Sequence, residues 1–282
     1  MEDITPELLS QIEKAFKAAI EKNKKITVLY ERIRDGTATY QEANEFAIAI
    51  GESLAEVFKN HLSADILPDG RMYYNIASRI IPETLQRNHE LITEVATKIQ
   101  EDLNKRAGIG IKAIKPELNE DRIKGLVEKV SNAENYNDVA WVLDEPIVNF
   151  SQSIVDDFIR ENVEFQGAAG MRPKIIRTTV GKCCEWCEKL SGTYSYPNIR
   201  KDIYQRHERC RCIVTYDPDK GKDIQNVHTK RWQEREKIEA RKKIGISQKE
   251  KESPEARQQR VMRENGLSRE AQSLATPKYT DE

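Results

Sequence analysis

Five cysteines, all that this 282-residue chain contains, fall within thirty residues, in GKCCEWCEKL (181–190) and RHERCRCIVTY (206–216). That crowding constrains the fold more than any other feature. Cys184 and Cys187 form a C-x-x-C pair, and His207 with Cys210 forms H-x-x-C. In each, a two-residue spacer lets a tight turn aim two soft ligands at one tetrahedral metal ion. Cys212 lies two residues on, at the start of an expected strand, where it faces the same side as Cys210 and competes with His207 or Cys210 for the fourth position. Four of Cys184, Cys187, His207, Cys210 and Cys212 are therefore the expected ligands, and Cys183 is a bystander.

Other uses of these thiols fit less well. A reducing cytoplasm disfavours disulfides, and an odd count does not close a disulfide framework. A redox C-x-x-C should open a helix beside a βαβ unit, and no such unit is legible here. Structural zinc is the favoured reading, and four protein ligands would leave no open position for a metal-bound water. KIIRTTV (174–180) and CIVTY (212–216) read as short β-branched strands flanking the cluster, while 191–193 and 196–198 read as turns. The result is a small α+β module whose core the metal supplements. Trp186, between the paired cysteines, reads as packing on that module.

The chain before residue 170 has a different character. Leu8, Ile12, Phe16, Ala19 and Ile20 lie on one helical stripe within 5–34, with Pro6 near its start and Asp35-Gly36 at its end. Thr39 and Glu42 have capping-box spacing ahead of a second helix carrying Ala47, Ile50, Leu54, Val57 and Phe58. Pro68-Asp69-Gly70 ends that pair. A third helix is expected over about 74–106, bent near Pro82, a shorter one over 118–132, and further helix over 136–163 with a junction at Pro146. These stripes are core, and the charges opposite them form a solvated face. His61 and His89 stand alone as surface or capping residues, and GIGI at 108–111 lacks the preceding strand that a dinucleotide-binding loop needs.

Charge divides the chain in the same place. The total is −1, but residues 1–168 hold 20 Lys+Arg against 30 Asp+Glu and residues 169–282 hold 26 against 17. The mean hydropathy of −0.72 and the lack of an apolar run of about 20 residues exclude a transmembrane helix. The N-terminal residues lack the pattern of a signal peptide, so a cytoplasmic folding environment is expected. After Pro218, the segment HTKRWQEREKIEARKK (228–243) reads as an exposed basic helix within a weakly apolar tail. Lys230, Arg231, Arg241, Lys242 and Lys243 are the candidate contacts to nucleic-acid phosphate, with Trp232 available for stacking.

The stretch from Arg177 to Pro218 resembles the C-terminal module of phage minor head proteins, the phage Mu protein F-like or head morphogenesis family. Its pattern is a C-x-x-C followed by Leu and Gly and then H-x-x-C-x-C, here Cys184, Cys187, Leu190, Gly192, His207, Cys210 and Cys212. Glu208 stands where the family usually has proline, and QNVHTKRW (225–232) is similar to members from phages of Firmicutes. The specific match covers about 50 to 60 residues; the helical region agrees only in type. The resemblance implies a virion component present in few copies, bound to portal or major capsid protein, incorporated during procapsid assembly and connected with DNA packaging or genome delivery. No catalytic residues carry over.

The expectation is thus a mainly α protein: an acidic helical domain (1–168) docking on portal or capsid, a small α+β zinc-stapled module (169–217), and an extended, partly helical basic tail (218–282). It is not expected to be an enzyme. Its expected partners are portal or major capsid protein and packaged double-stranded DNA, with no membrane in assembly and no small-molecule substrate; its expected places are the virion, in the capsid interior or portal region, and the host cytoplasm during assembly. The alternative is a zinc-containing DNA-binding protein or a nuclease of the His-Asn-His type. Such a nuclease needs a general-base histidine, and only His207 and His228 lie near the cluster.

Overall fold

Low apolar content in long helical stripes dictates amphipathic helices packed around one buried element, and the computed structural model has that form. It describes residues 3–181 and 183–218. The order is α1 (Thr5–Lys22), α2 (Lys24–Arg34), α3 (Tyr40–His61), α4 (Tyr74–Arg106), α5 (Glu120–Ser131), α6 (Glu145–Ala168), β1 (Lys174–Thr178), α7 (Glu185–Leu190), β2 (Gly192–Ser195) and β3 (Ile213–Asp217). The protein is mainly α with one small sheet. Among the described residues, no helix is long and apolar enough to cross a membrane.

Helix α3 is the buried element. It starts at the expected capping box, Thr39 with Glu42, and buries Tyr40, Phe46, Ala47, Ile50, Leu54 and Phe58 against α1, α4 and α6. Its closest approach is to α6. A methyl group on Gly51 would sit 2.7 Å from Ser151 Oγ and 2.8 Å from Val148 Cα, so only glycine lets the two backbones come this near. Ser151 in turn accepts from Asn88 Nδ2 of α4 at 2.9 Å, which ties three helices at one level.

Some boundaries differ from the sequence reading. The stripe over 5–34 is two helices, because the Asn23 side chain accepts from the Lys25 and Ile26 amides and starts a new helix. Residues 136–143 form short 3-10 turns, and the last long helix begins only at Glu145, with Pro146 in its first turn. Pro82 lies within a continuous α4. Gly192 and Thr193, expected within a turn at 191–193, instead begin β2 (192–195), an edge strand of a three-stranded antiparallel sheet ordered β2-β1-β3.

The sheet does not have a core of its own. Ile175, Ile203, Val214 and Tyr216 belong to the same hydrophobic cluster as the helices, and all the described residues fall within one compact unit. Polar groups complete the seam. Asn44 of α3 donates to the Val214 carbonyl at 3.0 Å, and the Tyr40 hydroxyl donates to Gln100 Oε1 at 2.5 Å. Asn104 Oδ1 accepts from both Gln100 and Gln166, at 2.7 and 3.1 Å, and the Tyr216 hydroxyl donates to Gln166. A buried network of this kind is favourable only when its members are satisfied together.

The tight α3–α6 contact is open to a direct check. Replacing Gly51 by alanine should destabilise the protein by about 1–3 kcal/mol through overpacking, read as a lower denaturation midpoint, whereas alanine at Gly125, which has nothing within 4 Å, should not.

Candidate metal centre

The two cysteine turns grow from different elements and meet above the sheet. Cys184 is the N-cap of α7, and its sulfur accepts from the Cys187 amide at 3.4 Å, the local geometry of a C-x-x-C turn. Opposite it, the Cys210 amide donates to the His207 carbonyl at 3.2 Å, and Arg209 takes φ +56 to close that turn. The C-x-x-C opens a helix of only six residues between antiparallel strands, so that, as expected, no βαβ unit adjoins it among the described residues.

All five expected ligands come together. The donor atoms of Cys184, Cys187 and His207 lie within 4.8 Å of one another, as do those of Cys187, Cys210 and Cys212. Cys187 is common to both groups. Its sulfur is 3.0 Å from His207 Nε2 and 3.8 Å from Cys210 Sγ. A tetrahedral ion with metal–sulfur bonds of about 2.3 Å would place its sulfurs about 3.8 Å apart, so the Cys187–Cys210 spacing fits such an ion. All five cysteines are free thiols. Cys183 belongs to neither group and lies 3.7 Å from Glu188 Oε1.

The tautomer of His207 suits a metal ligand. His207 Nδ1 lies 2.5 Å from the Glu208 carbonyl; a carbonyl only accepts, so this contact assigns the proton to Nδ1 and leaves the Nε2 lone pair facing the sulfurs. A metal-binding histidine is ordinarily held in this way. Cys210 is held down to about 4, chiefly by the hydrogen bond from the Cys212 thiol and also by the Arg206 charge. Cys212 is pushed well up as the donor in that bond, and burial raises Cys187. The centre can therefore hold a thiophilic metal ion through four of five S and N donors.

Three arginines that the sequence reading left out support these turns, Arg206 and Arg177 with buried side chains and Arg211 partly exposed. Arg206, next to His207, meets Asp156 of α6 through both carboxylate oxygens, at 2.5 and 2.8 Å, and donates to the Cys212 carbonyl at 2.7 Å and to Asn44 Oδ1 at 3.3 Å. Burial opposes the charge on Arg206, but Asp156 outweighs it and raises its affinity for the proton. Arg211 reaches Glu145 at 2.5 and 3.2 Å. Arg177 of β1 is fully buried beside the sulfurs. One signal for it was available: in KIIRT, Arg177 shares a strand face with the inward-pointing Ile175. Trp186 is partly exposed and meets the His207 ring edge-on with centroids 5.9 Å apart, in line with packing on the module.

The tail residues proposed for nucleic acid, Lys230, Arg231, Arg241, Lys242 and Lys243, lie outside the described residues, as do Trp232 and His228. Comparison with protein-family models, with curated proteins and with solved structures finds no match.

Because Cys187 is shared by both donor groups, its replacement by serine should abolish metal binding. Elemental analysis of the purified full chain should find about one thiophilic metal ion per chain and almost none in the C187S protein, while C183S should retain the ion.

Proposed function

We propose that this chain is a minor head protein of a phage, held by a structural zinc ion and acting in assembly and not in catalysis. The observation that carries the reading is that every position of the head-morphogenesis pattern has a physical task here. Cys184, Cys187, His207, Cys210 and Cys212 supply the donors. Leu190 is buried where α7 ends. Gly192 takes φ +147 as β2 begins opposite Arg177, a conformation that other residues rarely adopt. A pattern whose ligands and spacers all find separate uses is a specific one.

Zinc is the ion of this proposal because thiolate and imidazole donors in a four-coordinate set are its usual structural surroundings. When bound, it would serve as a cross-link between the C-x-x-C turn and the H-x-x-C turn, the second of which is anchored on α6 through Arg206 and Asp156. The acidic helical region offers the docking surface for portal or major capsid protein in this reading, and the basic tail faces DNA phosphate or an acidic protein surface. The His207 side chain is engaged by Cys187 and by the Glu208 carbonyl, which favours a structural role for it over that of a nuclease base.

Mass spectrometry of procapsids and mature virions of the encoding phage tests the assignment. The protein should be found in both particles, at far fewer copies than the major capsid protein, and should co-purify with portal protein when the two are co-expressed. Absence from both particles would overturn the proposal.

A further inference from the structure

Arg177 is the largest fully buried side chain among the described residues. A guanidinium does not lose its proton in a protein, and a buried cation is costly unless its charge is answered. Among the described residues it pairs with no carboxylate. Asp202 feels its charge but is bound through both oxygens by Arg200, at 3.0 and 2.7 Å. One terminal nitrogen donates to the Ile203 carbonyl and, at 2.9 Å, to the Gln205 carbonyl. Those dipoles solvate the guanidinium without neutralising it. The other lies 3.9 Å from Cys187 Sγ and 3.8 Å from Cys210 Sγ. Its carbon sits 5.6 Å from the Trp186 ring centroid, and its Nε is buried without a partner.

We infer that Arg177 is the counter-cation of the metal–thiolate centre and the residue that positions its two turns. The inference rests on the metal reading above. Three thiolates and one neutral imidazole around a divalent ion leave one net negative charge, and four thiolates leave two. Arg177 cancels the first entirely and halves the second. It also bridges the turns, because the two sulfurs it approaches come one from C-x-x-C and one from H-x-x-C, and Gln205 lies just ahead of His207. A buried guanidinium fixed beside one sulfur from each turn is placed to answer the negative charge of the loaded centre, and Arg177 thereby favours metal binding.

The test measures zinc affinity of the full chain by competition with a chromophoric chelator, for wild type, R177K and R177M, alongside thermal melting with and without zinc. Loss of the charge in R177M should weaken zinc about 10- to 100-fold, the usual effect of removing a group that supports a metal ligand, and should shrink the rise in melting temperature that zinc produces. R177K keeps the charge and should recover most of the affinity. R177Q, which keeps donors for the carbonyls and loses the charge, gives the same comparison where R177M does not fold. Wild-type affinity in the uncharged variants, with melting lowered equally with and without zinc, would mean a merely structural arginine and overturn the inference; so would R177K binding as weakly as R177M. A wild-type chain that takes up no zinc is a different result, and it overturns the metal reading together with the inference.

Discussion

The buried ion pair between Arg206 and Asp156 is the interaction on which the placement of the centre depends. Both side chains are almost wholly excluded from solvent, and removing one partner from such a pair leaves an uncompensated charge, at a cost of about 3–5 kcal/mol. The geometry justifies the cost of burying them. The guanidinium is held in a fork by the carboxylate, and its remaining donors reach the Cys212 carbonyl and Asn44. One side chain thus joins α6, α3 and the strand end that bears Cys210 and Cys212. His207 follows it directly in sequence, so the position of the imidazole is inherited from that anchor.

The same logic of compensation organises the rest of the small sheet. Its three short strands could not bury enough apolar surface to stand alone, and they do not. Ile175, Val214 and Tyr216 pack into the helical core, and the polar seam through Asn44, Gln100, Asn104 and Gln166 fixes the register of that packing. The cysteine turns meet beside Arg177, on the strand face that Ile175 shares. A metal ion there would cross-link the two cysteine turns, while the helical body bears the folding energy. This division suits a protein proposed to dock by one region and present another.

Much of this was legible in the sequence. Apolar residues at helical spacing located the long helices, and Thr39 with Glu42 marked the start of α3, because these signals are local. The cysteine and histidine spacing singled out five residues whose donor atoms the fold brings close together, because a two-residue spacer specifies its own turn. What escaped was non-local. Asn23 splits the first stripe through its own side chain, and β2 exists only because β1 offers it an edge. Arg206 looks like any other basic residue until Asp156, 50 residues away, is seen beside it, and strand alternation turns Arg177 inward without revealing the two sulfur atoms it meets. Buried charge is the feature that a linear pattern conceals most easily, since its partner is chosen by the fold.

The proposed zinc centre stands or falls on the identity of the atoms that would bind the ion. X-ray absorption at the zinc edge of the purified full chain reads them directly. A four-coordinate ion with four sulfur neighbours at about 2.3 Å, or with three and one nitrogen, is the predicted result. A zinc ion surrounded by oxygen and nitrogen alone, as at an adventitious surface site, would contradict it.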